Sequence, residues 1–131
     1  MSALVFVGID VSRARLDIAV RLGTSFSITH DEPAIAALVE QLRALSPTLI
    51  VLEATGGMEI PLTSALATAG LPVVVINPRQ VRDFAKASGH LAKTDALDAQ
   101  VLAQFAEVMR PQPRPLPDTD TRALAAVLTR R

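Results

Sequence analysis

The chain begins with a nearly continuous apolar run, residues 4–11, in which Asp10 is the only charged side chain. An apolar run of this length that is rich in β-branched residues predicts a strand buried on both faces. Residues 15–22 alternate between apolar and polar side chains, and after a turn at Gly23 a third short strand is predicted for residues 25–29. Three strands in succession predict an antiparallel meander.

Helical spacing first appears after the meander. In residues 33–45 the apolar side chains recur at helical spacing and polar side chains lie on the opposite side, which predicts an amphipathic helix. The apolar positions are Ile35, Leu38, Val39, Leu42 and Leu45. A second buried strand is predicted for residues 48–53, a helix for 58–69 and a third buried strand for 73–76.

Polar residues are predicted to start the remaining helices. Asn77 precedes Pro78, which is the combination expected for an N-cap and a first helical residue, and this helix is predicted to end near residue 87. Thr94 is predicted to cap the following helix. The apolar stripe of that helix is formed by Leu97, Val101, Leu102, Phe105 and Val108.

The order of these elements predicts an α/β fold with a mixed five-stranded sheet flanked by helices, in which a meander leads into right-handed βα crossovers. Ribonuclease H-like domains have this arrangement. A doubly wound nucleotide-binding fold is disfavoured, because it requires a helix after the first strand and a G-x-G-x-x-G motif that is missing here.

The length of 131 residues allows one domain with a short appended element. We expect the domain to span residues 1–109, followed by a stiff proline-rich linker over 110–118. Residues 119–131 have a helical pattern that stops without a C-cap, so we expect the chain to be a fragment of a longer protein.

Composition excludes several classes of protein. The chain has no Cys, which excludes disulfide scaffolds, thiolate metal sites and Cys nucleophiles and agrees with a cytoplasmic location. We expect no membrane association, because no apolar run reaches the roughly 18 residues that a membrane span requires. With 3% aromatic residues and no Trp or Tyr, stacking on nucleic-acid bases is not expected.

The formal net charge is zero, but the charges are unevenly distributed. Residues 1–60 contain seven acidic and four basic residues, whereas residues 61–131 contain six acidic and nine basic residues. Any contact with a polyanion is therefore expected in the second half. There, Arg79, Arg82 and Lys86 fall on one face of a predicted helix and Lys93 follows closely, which predicts a basic stripe that contacts phosphates or a merely solvated face.

Four carboxylates are the candidate chemical groups. Asp10 and Glu53 each end a buried strand, and if those strands are neighbours the two side chains emerge together at one edge of the sheet. Asp95 and Asp98 are three residues apart in the first turns of a predicted helix, so that both project from one face. Carboxylates gathered in this way suit Mg²⁺ or Mn²⁺, and two such ions about 3.5–4 Å apart can promote phosphoryl transfer.

Simpler roles for the same residues remain open. Asp95 is also explained as an acid at the start of a helix, and Asp98 as a solvated polar residue. Glu53 is also explained as a cap for the helix that follows Gly56-Gly57. This glycine pair is either a phosphate cradle or a plain turn. Asp10 is the hardest to explain structurally, because an unpaired carboxylate on a buried strand is costly. The other acids interpreted as surface charges are Asp17, Asp83 and Glu59.

Four ordered motifs resemble the N-terminal domain of DEDD transposases of the insertion sequence IS 110 family, relatives of the Piv DNA invertases. The motifs are GIDVS at residues 8–12, LEATGG at 52–57, VINPRQVRDFA at 75–85 and AKTDALDA at 92–99. The resemblance spans residues 4–109 and implies a RuvC-like, ribonuclease H-type catalytic domain. It implies that Asp10, Glu53, Asp95 and Asp98 form the metal-binding tetrad.

The resemblance also implies a function in DNA transposition and recombination. DNA is the implied partner, with a guide (bridge) RNA in the better understood members, and assembly into dimers or tetramers is implied. Family members carry a nucleophilic serine in a C-terminal domain that this chain does not reach, and neither Ser12 nor Ser64 matches it. We therefore expect the chain alone not to complete strand exchange.

Two alternatives belong to other functional classes. The first is a non-catalytic module that binds guide RNA or DNA through the basic stripe and mediates oligomerisation. The second is an ATP-binding domain of the actin and sugar-kinase type, because Gly8-Ile9-Asp10 also resembles the first phosphate loop of that fold. We rank it last, because a chain this short lacks the second lobe.

Overall fold

The computed structural model of the protein describes residues 4–89 and 98–112. Within these residues the strands are β1 (Phe6–Val11), β2 (Arg15–Val20), β3 (Ser25–Thr29), β4 (Leu49–Glu53) and β5 (Val73–Ile76). The helices are α1 (Glu32–Leu45), α2 (Ile60–Thr68), α3 (Pro78–Ala87) and α4 (Ala99–Met109). None of these helices is long and apolar enough to cross a membrane.

The five strands form one mixed sheet in the order β3-β2-β1-β4-β5. β1, β2 and β3 pair antiparallel, as the predicted meander requires, and β4 and β5 run parallel to β1. This arrangement confirms the predicted mixed five-stranded sheet. Because β1, β4 and β5 are parallel, their carboxyl ends lie at the same edge of the sheet.

Helices cover both faces of the sheet, and each face has its own hydrophobic core. The core on one face joins the sheet to α1 and α2, with Leu38, Leu42, Leu62 and Leu66 among its buried helical residues. The core on the other face joins β1, β4 and β5 to α3 and α4 through residues such as Phe105. Successive side chains along each strand point to opposite cores, so the sheet is apolar on both faces.

Gly8 allows α4 to lie unusually close to the centre of the sheet. A Cβ atom at this position would overlap the backbone nitrogen of Ala103 and the backbone oxygen of Ala99, and would lie 2.7 Å from Cβ of Leu102. Only glycine leaves room for the backbone of a helix at this distance. On the neighbouring strand β2, the small side chain of Ala19 packs against Ala99 and Ala103 in the same way.

The start of α4 differs from the prediction. Asp98 is the N-cap residue, in extended conformation with φ −131° and ψ 178°, and its side chain accepts a hydrogen bond from the backbone N–H of Val101 at 3.0 Å. The first helical residue is therefore Ala99, so the prediction of a helix that already contains Asp98 is wrong. The predicted cap Thr94 lies outside the described residues.

The buried face of α4 contains small side chains as well as the large ones that the sequence predicts. Its buried residues are Ala99, Leu102, Ala103, Phe105 and Ala106. Val108, which the prediction assigned to the apolar stripe, is 57% exposed. Leu102 and Phe105 are buried as predicted. The prediction missed the alanines of this face, because it considered only large apolar side chains, whereas the close approach of the α4 backbone at Ala99 and Ala103 to Gly8 favours small ones. Leu97, the first residue of the predicted stripe, lies outside the described residues.

The other differences are small. Asp31 caps α1 by accepting from the N–H of Ala34 at 2.9 Å, and α1 begins one residue before the prediction at Glu32. Leu45 ends α1 and is 41% exposed, outside the buried stripe.

The remaining helix starts are also close to the prediction. α2 begins at Ile60, because Met58 and Glu59 belong to the turn after β4. Asn77 caps α3 as predicted, accepting from the N–H of Arg79 at 2.8 Å. The predicted helical segment 119–131 and most of the linker 110–118 lie outside the described residues.

We predict that Gly8→Ala strongly destabilises the protein, by about 3 kcal/mol or more, because overpacking against backbone atoms forces α4 away from β1. Gly23→Ala is the matched control, since its Cβ would meet the nearest atom, Cγ1 of Val20, at an ordinary 3.4 Å. Urea unfolding of both variants and the parent chain measures the difference. Equal stability of the two variants would contradict the close packing of α4.

Candidate functional site

Asp10 and Glu53 lie side by side at the carboxyl edge of the sheet. β1 and β4 are neighbouring parallel strands whose register pairs Ile9 with Leu52, so the two carboxylates come at the next position along each strand. Both side chains point to the α4 side of the sheet, because Asp10 lies two residues after Gly8, which contacts α4, and Glu53 lies two residues after Val51, which packs in the core on that face. The predicted convergence of the two strand-end acids is therefore present in the structure.

The two carboxylates are partly buried and repel each other. Burial raises the pKa of Asp10 above its ordinary value, the charges of Asp17 and Asp98 raise it further, and Arg15 offsets part of the effect. Burial also raises the pKa of Glu53, and Asp10 adds to it, whereas the nearby Arg82 lowers it. The edge of the sheet therefore carries more negative charge than its surroundings compensate.

Asp98 belongs to the same edge but is placed differently from the prediction. It precedes α4, and the close packing of α4 on β1 brings it near enough for its charge to raise the pKa of Asp10. Its capping bond to Val101 occupies one carboxylate oxygen. The prediction that Asp95 and Asp98 project from one helical face is wrong for Asp98, and Asp95 lies outside the described residues.

The donor set at this edge fits a divalent cation. Oε2 of Glu53 is buried and has no hydrogen-bond partner among the described residues. A buried carboxylate oxygen without a partner is costly, and a hard cation would satisfy it and neutralise the repulsion with Asp10. Among residues 4–89 and 98–112, however, no three acidic or histidine side chains are already grouped at metal-binding distance.

Glu59 organises the glycine turn that follows β4. Its Oε1 accepts hydrogen bonds from the backbone N–H and hydroxyl of Thr55, at 3.0 and 2.9 Å, and from the N–H of Gly57 at 3.2 Å. Gly56 and Gly57 have φ values of +73° and +109°, which glycine adopts without strain.

This bonding decides between the alternatives for the glycine turn. Two N–H groups that would cradle a phosphate are already bonded to Glu59, so the turn interpretation is favoured. The interpretation of Glu59 as a plain surface charge is wrong, because its carboxylate holds the turn together. Burial tends to raise the pKa of Glu59, but the hydrogen bonds from Thr55 and Gly57 outweigh it and hold the pKa below the ordinary value.

Sequence reasoning also underestimated Asp17. β2 pairs Asp17 directly with Asp10 of β1, so the two carboxylates share one face of the sheet. The signal was present in the alternation of residues 15–20: Leu16 and Ile18 are buried on the opposite face, which leaves Asp17 on the side of Asp10. Finding it required the register of the hairpin, which the alternation alone does not specify.

The predicted basic stripe lies on the exposed side of α3. Arg79, Arg82 and Lys86 are exposed, while Val81 and Ala85 face the core. None of the three basic side chains forms a salt bridge with a described residue. α3 begins at the carboxyl end of β5, so its first turn lies at the same edge of the sheet as Glu53. Lys93, the fourth member of the predicted stripe, lies outside the described residues.

Comparisons with known proteins agree with this architecture. The chain matches the IS 110 family of DEDD transposases, described as "Transposase", over residues 7–131. Among solved structures it is similar to the RuvC structure of Thermus thermophilus, with a TM-score of 0.54, 23% identity, and coverage of 96% of this chain and 92% of that chain. No curated protein sequence matches the chain. At this identity the structural likeness concerns the fold, which is therefore RuvC-like and of the ribonuclease H type.

We predict that Asp10→Asn stabilises the metal-free protein at neutral pH, by about 0.5–1 kcal/mol, because it removes like-charge repulsion across paired strands. A carboxyl whose pKa is raised in the folded state favours folding at low pH, and this contribution is lost as the pH rises through the raised pKa. The advantage of Asp10→Asn should therefore grow with pH. Urea unfolding in EDTA over a pH series tests this, with exposed Glu40→Gln on α1 as the control. A constant difference at all pH values would contradict the prediction.

We predict that Glu59→Ala lowers stability by about 1–2 kcal/mol, because the N–H groups of Thr55 and Gly57 lose their acceptor. Glu59→Gln keeps an amide oxygen as acceptor and should cost less. The pKa of Glu59 is lowered in the folded state, so its contribution is present above the unfolded-state pKa and is lost as the pH falls through the folded-state pKa. Thermal unfolding of the parent and both variants measures the order of their stabilities. A Glu59→Ala variant as stable as the parent would refute the prediction.

Proposed function

This protein belongs to the IS 110 family of DEDD transposases, and we propose that it is the divalent-metal-dependent nuclease domain of a DNA-recombining enzyme. In this proposal the metal site is formed by Asp10, Glu53, Asp95 and Asp98. The observation that supports it best is the pair of strand-end carboxylates, Asp10 and Glu53, in which the buried Oε2 of Glu53 has no hydrogen-bond partner within residues 4–89 and 98–112. The RuvC-like fold of the chain is consistent with this chemistry.

The cation would be Mg²⁺ or Mn²⁺, because the donors are carboxylate oxygens and no thiolate is available in the chain. When bound, it would supply Lewis-acid stabilisation of the charge that develops on phosphate oxygens during strand cleavage and transfer. Asp10 and Glu53 would hold it from the sheet. Asp98 would approach from the start of α4 with the oxygen that its capping bond leaves available.

The DNA partner is proposed to contact the basic side of α3. Arg79, Arg82 and Lys86 are exposed on one helix that begins at the edge carrying the carboxylates. Arg82 lies close enough to Glu53 to lower the pKa of that carboxylate. It therefore connects the stripe with the acidic edge, which is the edge of the sheet that carries Asp10, Glu53 and Asp98. Lys93 completes the proposed set. Contacts of this kind hold the phosphate backbone and carry no base specificity.

The experiment that tests this function is a calorimetric Mn²⁺ titration of the whole chain, with and without a short DNA duplex. We expect the parent chain to bind Mn²⁺ and both Asp10→Asn and Asp95→Asn to lose binding, because removing a charged ligand costs a hard cation most of its affinity. Glu40→Gln, which changes an exposed carboxylate on the opposite side of the sheet, is the charge-matched control and should bind as the parent does.

Equal, negligible Mn²⁺ binding by the parent and both variants would contradict the metal-dependent function. The non-catalytic module would then be favoured, with nucleic-acid binding that weakens with salt but persists in EDTA and after loss of the carboxylates. Far-UV circular dichroism of each variant establishes that any loss of binding reflects the site and not the fold.

A further inference from the structure

Asp17 is a carboxylate at the acidic edge that neither the family tetrad nor the proposed function uses. The antiparallel register places it directly opposite Asp10, and its side chain is 29% exposed. Its charge contributes more than any other charge to the raised pKa of Asp10. Like charges directly opposite each other on paired strands are destabilising, so the presence of a charged residue here needs a reason.

Two neighbours hold the Asp17 carboxylate in one orientation. Ser27, its partner in the register with β3, donates a hydroxyl hydrogen bond to Oδ1. Nε of Arg15 lies 3.1 Å from the same oxygen, and Nη2 of Arg15 donates to Oδ2 at 3.5 Å. The Arg15 side chain is 64% exposed, so water screens its charge and it cancels only part of the negative charge of Asp17.

Strand pairing does not require the charge of Asp17. A neutral asparagine would accept the same hydrogen bond from Ser27 through its side-chain oxygen, and it would avoid the repulsion with Asp10. The arrangement therefore fixes a charge beside Asp10 at a cost to folding. Costs of this kind are typical of groups that act in a site and not in the fold.

We propose that Asp17 is a positioning residue of the acidic edge: its charge, held by Arg15 and Ser27, strengthens the binding of a divalent cation by Asp10 and Glu53 without contacting the cation. This inference rests on the proposed function, because it takes Asp10 and Glu53 as cation ligands. Asp17 acts through the electric field at the site, so its effect is a change in affinity and not the loss of a bond to the metal.

The test compares Mn²⁺ affinity, by calorimetry at low ionic strength, for the whole chain and three variants. We expect Asp17→Asn to weaken Mn²⁺ binding roughly tenfold and Asp17→Glu to recover most of the affinity. Glu40→Gln should change it by less than about twofold, since Glu40 is also an arginine-paired carboxylate, 3.6 Å from Arg43, but lies on α1 across the sheet. Added salt should reduce the difference between the parent chain and Asp17→Asn.

A second measurement separates this role from a structural one. In EDTA, the Asp17→Asn variant should have a higher midpoint of urea unfolding than the parent chain. When Asp10→Asn is already present, adding Asp17→Asn should give no such gain, because the charge that repels Asp17 has been removed. A lower midpoint in Asp17→Asn together with weaker binding would identify Asp17 as a residue of the fold and overturn the inference.

The remaining outcomes are also decisive. Unchanged Mn²⁺ affinity in Asp17→Asn, with binding abolished in Asp10→Asn, would overturn the role of Asp17 and leave the proposed function intact. Abolished binding in Asp17→Asn would make it a ligand and contradict the positioning role. Absence of Mn²⁺ binding by the parent chain would contradict the proposed function itself, and the inference would fail with it.

Discussion

The contact between α4 and β1 at Gly8 is the constraint on which the candidate site depends. The missing side chain lets the helix backbone rest against the central strand of the sheet, and the alanines of α4 and β2 extend this contact sideways. A helix held at this distance places its N-cap, Asp98, close enough to act on the carboxylate of Asp10. Gly8 therefore links the fold to the acidic edge: it lies two residues before Asp10 on β1, and its contact with α4 places Asp98 near that carboxylate.

Four of the carboxylates near this edge differ in how their charge is compensated. Glu59 and Asp98 each accept backbone N–H bonds, the first within the glycine turn and the second at the start of α4. Asp10 and Glu53 are partly buried and rely on the more distant charges of Arg15 and Arg82. Backbone N–H groups stabilise an ionised carboxylate directly, whereas an exposed guanidinium does so weakly. The uncompensated charge therefore resides on the two acids that end the central parallel strands.

How far the sequence predicted the structure can be judged from particular residues. Local patterns predict the apolar strands β1, β4 and β5 and the N-cap at Asn77, and the structure confirms them. The predicted stripe of α4 is confirmed at Leu102 and Phe105 but wrong at Val108, which is exposed, and it does not include the alanines that lie nearest to Gly8. The sequence pattern indicates surface charges at Asp17 and Glu59, because strand register and a turn conformation bring their partners to them and neither can be derived from the pattern.

Hydrophobic periodicity and chain connectivity are properties of neighbouring positions, and they predict the elements, their order, a mixed sheet and the two acids at the strand ends. Tertiary packing sets which strands are adjacent, where α4 starts and which charges face one another. Those features depend on distances between residues far apart in the chain. A carboxylate becomes part of a site through its neighbours in space, and packing at Gly8 and the register of β1 with β2 and β4 select those neighbours.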